Sequence, residues 1–193
     1  MLKQVEIAEI FSKSKAYLSG HFLLSSGLHS PNYFQCAQVL QYPQYASLLC
    51  SDLGRRFVNS KIDAVVSPAM GGVIVGHEVG RELKKRAIFT ERENNIMTFR
   101  RGFTVEKGET VLVVEDVLTT GKSIKEVLAV LSEYDCTVAG IGVIVDRSGG
   151  KVQFNYPLES LMQMEVITHQ PDSCPLCKQN IPLVKPGSRK IEQ

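Results

Sequence analysis

The residues with the clearest chemistry lie between Val111 and Ser123, in the order VLVVEDVLTTGKS. A short apolar run delivers two adjacent acids, Glu115 and Asp116. Val117, Leu118, Thr119, Thr120, Gly121, Lys122 and Ser123 then lead into a helical pattern. Hydroxyls and backbone N–H groups at a helix N-terminus form a natural phosphate site. Glycine there lets the backbone come close. A carboxylate pair beside a phosphate site repels a second anion. It suits a ligand that is phosphate at one end and hydroxyl-rich at the other, such as ribose 5-phosphate. Gly121-Lys122-Ser123 also matches the end of a Walker A loop. That loop needs a glycine five residues before Gly121, where this chain has Asp116. An ordinary strand-to-helix turn with a solvated acid pair is the remaining alternative.

Several elements must position these residues. The spacing predicts a helix over 3–18. Two short extended pieces, Phe22-Leu23-Leu24 and Tyr33-Phe34, flank a turn marked by Gly27 and Pro31 and predict a hairpin. A second helix follows Pro43, carrying Tyr45, Leu48, Leu49, Leu53 and Phe57. Asp63 to Pro68 reads as a buried strand, Gly71-Gly72 as the entry to a helix through Leu83, and Ala87-Ile88-Phe89 as a short strand. Residues 91–102 are polar and read as a loop. Val111 to Val114 is a strand, and Ile124, Val127, Leu128 and Leu131 form a helical stripe. Val138 to Val145 is a further buried strand. Continuous apolar strands alternating with helices predict an α/β fold with a central, mostly parallel sheet flanked by helices. Ligands gather beyond the carboxyl ends of such strands. Three segments fall there: Ser67 to Gly72, Glu115-Asp116 and Asp146-Arg147.

Bulk properties fit one soluble domain. The chain has 193 residues, 44% hydrophobic and 22% charged, with a net charge of +2. Neither nucleic acid nor a membrane surface is called for, because both usually leave a clustered basic patch. No apolar run is long enough to span a bilayer, and the N-terminus lacks a secretory apolar block. The expected location is the cytoplasm, where the five cysteines stay mostly reduced.

The Val111–Ser123 segment resembles the signature of the type I phosphoribosyltransferases. Over most of its length the chain is similar to the orotate branch of that family. The stretch from Gly20 to Pro31 resembles the branch's N-terminal signature, and Pro68 to Gly72 its pyrophosphate loop. The resemblance implies one domain spanning 1–193, with a hood over the base built from about 1–40 and about 155–193. It implies transfer of a phosphoribosyl group from 5-phosphoribosyl 1-diphosphate to orotate, with Mg²⁺ as cofactor and no protein ligand assigned to it. Glu115, Asp116 and Val117 through Ser123 then hold the phosphoribosyl group, and Gly71 and Gly72 meet the pyrophosphate. Thr119 and Arg147 meet orotate, whose carboxylate suits a planar guanidinium. For Arg147 the alternative is a surface ion pair with Asp146. A homodimer is implied by the resemblance alone. The alternatives are a phosphoribosyltransferase for another base and a non-catalytic nucleotide-binding regulator.

This chain departs from the family pattern in three places. Ser25 and Gly71 stand where many members have lysine. The stretch from Glu91 to Phe103, ERENNIMTFRRGF, replaces a lysine-rich catalytic loop. Departing pyrophosphate needs cations, so Arg92, with Arg100 or Arg101, is expected to supply them alongside Asp116 as catalytic groups. A solvated charged loop is the alternative for Arg100-Arg101. The family also leads us to expect a cis peptide near Ala69-Met70.

Lesser signals remain. Cys174-Pro-Leu-Cys177 has zinc-knuckle spacing, with His169 as a conceivable third ligand. Structural zinc wants four ligands, so the pair is read as two reduced thiols. His21 and His29 lie in the implied hood and are read as exposed turn residues, with contact to substrate as the alternative, and His77 is read as a packing residue. The tail from Ile181 to Gln193 is read as an extended arm.

Overall fold

The computed structural model describes residues 1–24, 26–165 and 167–186. The Ser25 departure and the end of the C-terminal arm lie outside the described residues. In chain order the elements are α1 (Gln4–Lys13), β1 (Tyr17–Leu23), β2 (His29–Phe34), α2 (Ala37–Leu40), α3 (Pro43–Arg55), β3 (Ala64–Pro68), α4 (Gly71–Leu83), β4 (Arg86–Glu93) and β5 (Ile96–Phe99). They continue with β6 (Thr110–Leu118), α5 (Lys122–Leu131), β7 (Thr137–Asp146), β8 (Leu158–Gln163), a 3₁₀ turn (Pro171–Ser173) and α6 (Pro175–Lys178).

The main sheet has six strands in the order β5-β4-β3-β6-β7-β8. All neighbours are parallel except β4 and β5. β3 is buried at every position, as a strand covered on both faces must be. Two core clusters flank the sheet. One packs α1, α3 and α4 through residues such as Ile10, Leu49, Leu53 and Val75. The other packs α5 through Ile124, Val127 and Leu131. The fold is therefore the α/β arrangement the alternating pattern predicts. The strand order reverses between β3 and β6: β4 lies on one side of β3, and β6 on the other. That switch point opens a crevice at the carboxyl ends of the strands.

Several boundaries differ from expectation. The first helix stops at Lys13 rather than continuing to residue 18. Lys15 takes φ 54° and the Ser14 hydroxyl bonds back to the Ile10 carbonyl, so the chain turns and re-enters as β1. Residues 91–102 are not simply a loop. Glu91 to Glu93 end β4, and β5 returns antiparallel after Asn94-Asn95. Both asparagines have positive φ (50° and 65°), which fits a tight two-residue hairpin turn. Residues 158–163, assigned above to the hood, form β8 at the edge of the main sheet. Its residues are mostly half-exposed, which hides the apolar run of a buried strand.

A small second sheet pairs β1 with β2 as an antiparallel hairpin. The C-terminal arm lies along it through two isolated bridges, Phe22 with Val184 and His29 with His169. Both chain ends thus meet in one subdomain.

Candidate active site

The β3, β6 and β7 ends are adjacent, so the three segments singled out above converge. β6 runs on through both acids before the chain turns. The acids diverge from there. The Ser123 hydroxyl at the start of α5 donates to Glu115 on one side. On the other side lies Asp116: a Cβ added to Gly71 would sit 2.6 Å from its carboxylate oxygen. Gly71 is thus small because Asp116 occupies the space where a side chain would begin.

Burial, then the nearby Asp116 charge, pushes the Glu115 carboxyl from 4.5 up to about 8. The Ser123 bond and the Arg92 charge pull it down without cancelling that rise. Burial likewise raises Asp116, against the pull of the Val117 amide, which donates to Oδ1 at 2.9 Å. The free site therefore holds two desolvated carboxyls awaiting donors or positive charge. A stability test follows. Unfolded Glu115 ionises near its ordinary value, whereas folded Glu115 keeps its proton up to about 8. Between those values the folded state binds more protons, so raising the pH destabilises the ligand-free protein. Glu115→Gln should flatten the fall in Tm between about pH 5 and about pH 8. An unchanged slope in that variant would show that Glu115 is not the group concerned.

Beyond the acids, Gly121 caps α5 with φ 73°. A Cβ there would also press to 2.8 Å from Val152, so both backbone and space require glycine. Thr119, Thr120, Gly121, Lys122 and Ser123 line an open cleft of about 540 Å³ together with Glu115, Val117, Arg92 and Asn95. Leu118 does not line it; its side chain is buried in the core beneath. Gly71 and Gly72 open α4 on the other side of the acids. The Ala69–Met70 peptide is cis, as expected.

The arginines separate. Arg92 reaches the cleft and pairs with Glu126 of α5. Arg100 is not among the cleft residues. It pairs with Glu93 at 3.1 Å and lies 3.9 Å from Glu91. Arg101 pairs with Glu91 at 3.0 Å and lies over the Phe89 ring. The hairpin thus neutralises both internally, and the structure does not bring Arg100 to the acids.

Arg147 follows β7, and its amide donates to the Leu118 carbonyl at 2.8 Å. Its side chain lines a recess beneath the hairpin with Tyr17, Asn32, Tyr33, Phe34, Met164 and Glu165. Burial lowers its pKa, and Tyr33 acts the other way. The pairing with Asp146 does not occur: Asp146 is buried and accepts the Ser148 amide at 2.8 Å. Thr119 stands between the recess and the cleft in sequence, one residue beyond Leu118.

The phosphoribosyl transferase domain family matches residues 48–171. Orotate phosphoribosyltransferase of Pelotomaculum thermopropionicum is 56% identical over 186 residues, 96% of this chain and 98% of that protein. The chain belongs to the orotate phosphoribosyltransferase family. The family member of Thermotoga maritima is 50% identical over 96% of this chain and its own full length. Among solved structures, orotate phosphoribosyltransferase from Aeropyrum pernix superposes with a TM-score of 0.66 at 28% identity, covering 82% of this chain and 93% of its own. The family's domain match takes in residues 68–72, both acids, the loop from Thr119 to Ser123 and Arg147. It begins after the hairpin and ends before Cys174, so the subdomain made by the two chain ends lies largely outside it.

Sequence reasoning misplaced two residues that the structure shows in a site of their own. His21 and His29 are 2% and 6% exposed, not turn residues on the surface. They face Cys174 and Cys177.

Proposed function

We propose that this protein transfers the 5-phosphoribosyl group from 5-phosphoribosyl 1-diphosphate to orotate, giving orotidine 5-phosphate and pyrophosphate for pyrimidine nucleotide synthesis. The observation that carries the reading is the meeting of a half-buried acid pair, a phosphate-type loop and a half-buried arginine at adjacent strand ends. The family membership supports it.

In this reading the amides of Thr120 to Ser123 and the positive end of α5 receive the 5-phosphate. Glu115 and Asp116 receive the ribose hydroxyls, which satisfy carboxyls the free fold leaves desolvated. Val117 and Leu118 supply the backbone between the acids and the loop, with only Val117 facing the cleft. The amides of Gly71 and Gly72, at the open end of α4, meet the pyrophosphate. Arg147 forks onto the orotate carboxylate, with Thr119 beside the ring. Breaking the C1–O bond builds positive charge on the ribose and negative charge on the leaving group. In this reading ionised Asp116 favours the first, and Arg92 the second. Orotate N1 attacks C1, and no enzyme nucleophile is needed.

Mg²⁺ fits this site as a partner of the substrate. Glu115 and Asp116 are hard oxygen donors, but among the described residues they belong to no cluster of three or more ligating groups. Substrate oxygens must then supply most of its coordination, which is how Mg²⁺ usually binds phosphates. When bound, it neutralises charge on the leaving pyrophosphate.

Arg92 is the loop cation we assign to catalysis; Arg100 would join only if the hairpin rearranged. Arg92→Ala should lower kcat by about 10-fold or more, as expected for loss of one charge contact in the transition state. Arg100→Ala should cost less. Turnover untouched by Arg92→Ala removes that residue from the mechanism. We also propose that the protein works in the cytoplasm as a homodimer, carried by family resemblance and testable by light scattering. No described helix is long and apolar enough to cross a membrane. A panel of bases with 5-phosphoribosyl 1-diphosphate tests the substrate. Turnover of orotate above uracil and adenine is expected. Inactivity with orotate but turnover of another base overturns the assignment.

A further inference from the structure

Outside the residues that line the cleft, four soft or borderline donors converge where the two chain ends meet. His21 Nε2 lies 2.9 Å from His29 Nδ1, 3.6 Å from Cys174 Sγ and 3.8 Å from Cys177 Sγ. Cys177 Sγ is 3.3 Å from His29 Nδ1. All four atoms lie within 4.8 Å of one another. A tetrahedral zinc ion with ordinary bond lengths has donor-to-donor edges of about 3.3 Å (N–N), about 3.6 Å (N–S) and about 3.8 Å (S–S). The observed separations scatter around those edges.

Hydrogen bonding does not explain the arrangement as well. The single ring nitrogen Nε2 of His21 has three neighbours, yet it carries one proton or one lone pair directed along one axis. The other nitrogen of that ring, Nδ1, faces the Ile181 carbonyl at 2.8 Å. A proton on Nδ1 donated there leaves the Nε2 lone pair pointing into the cluster. Metal-bound histidines are usually held in this way. His21, His29 and Cys174 are buried, and Cys177 is open to solvent, which gives an ion a way in.

Neighbouring backbone builds the site. Cys174 and Cys177 bracket the short α6, and the Lys178 amide bonds back to the Cys174 carbonyl at 3.3 Å. The Val184 amide donates to the His21 carbonyl, and His29 and His169 exchange both backbone bonds. His169 therefore contributes its backbone to the seam, while the ring proposed above as a third ligand stays outside the cluster.

We propose that His21, His29, Cys174 and Cys177 bind one structural Zn²⁺ that clips the C-terminal arm to the β1–β2 hairpin. Two thiolates with two imidazoles in a closed tetrahedron suit zinc and leave no position for a substrate. The ion joins residues more than 150 positions apart. It would fix the hairpin that carries Tyr33 and Phe34 against Arg147. This inference stands apart from the reaction and does not depend on it.

Elemental analysis of the full chain, expressed with added Zn²⁺ and then dialysed, is the test. About one zinc per chain is expected, as a closed four-ligand site requires. Cys177→Ser and His29→Ala should hold below about 0.1 zinc and unfold about 5 °C lower or more, because metal binding here is folding free energy. His169→Ala should keep the metal. Replacing zinc with Co²⁺ in the unmutated chain should give the strong bands of tetrahedral cobalt with thiolate ligands, a readout that survives if the variants fail to fold. A zinc-free full chain after Zn²⁺ treatment would overturn the proposal. So would full zinc content in Cys177→Ser, a Cys174–Cys177 disulfide, or a weak octahedral cobalt spectrum.

Discussion

Asp116→Asn is expected to lower kcat by about 10²–10³, the order seen when one preorganised electrostatic contact is removed from a closed site. Asparagine keeps the shape and can still accept the Val117 amide, which now bonds Oδ1 at 2.9 Å. It cannot offset positive charge on the ribose. The KM for orotate should change little, because Asp116 sits on the α4 side of the sheet, against Gly71. Stability should move the other way from activity. Burial raises the Asp116 pKa, so its ionised form is disfavoured by the fold. A neutral side chain removes that cost, and Tm at neutral pH should hold or rise. Steady-state kinetics beside thermal melts check both halves. A variant with near-normal kcat would show that Asp116 is only a structural acid.

The second large effect is expected at Arg147. Truncating one partner of a buried charge pair costs about 2–5 kcal/mol, so Arg147→Ala should lower kcat/KM for orotate by about 30-fold or more. The KM for 5-phosphoribosyl 1-diphosphate should stay near normal. Arg147→Lys should recover part of the loss, since the charge remains but the two-pronged geometry does not. Equal losses for both substrates would mean that the variant disturbs the β7 end rather than the orotate contact.

Legibility in the sequence followed burial. β3, β6 and β7 are covered on both faces, so each reads as an unbroken apolar run, and the acids that end β6 stand out against it. The acid pair and the hydroxyl-rich loop after it were therefore visible before any coordinates. β5 and β8 are edge strands, and the polar ends of β4 and β5 satisfy their charges by pairing Arg92, Arg100 and Arg101 with nearby carboxylates. Such a segment has the composition of a loop, and only Asn94-Asn95 hinted at its turn. Arg100 lies away from the cleft for the same reason: a cation that looks free in sequence has partners in the fold, here Glu91 and Glu93. The His–Cys cluster was hidden by distance along the chain. One half of it is a recognisable knuckle, but the other half lies in the first hairpin and joins it only through the arm.

The central claim is the transfer of a phosphoribosyl group to orotate at the β6 acid pair. Its most direct test is the loss of orotate absorbance with 5-phosphoribosyl 1-diphosphate, run with Mg²⁺ and with Mg²⁺ chelated. The account predicts orotate consumption matched one-for-one by pyrophosphate, and its collapse without Mg²⁺. No consumption of orotate by the folded protein at saturating substrates and Mg²⁺ would contradict it.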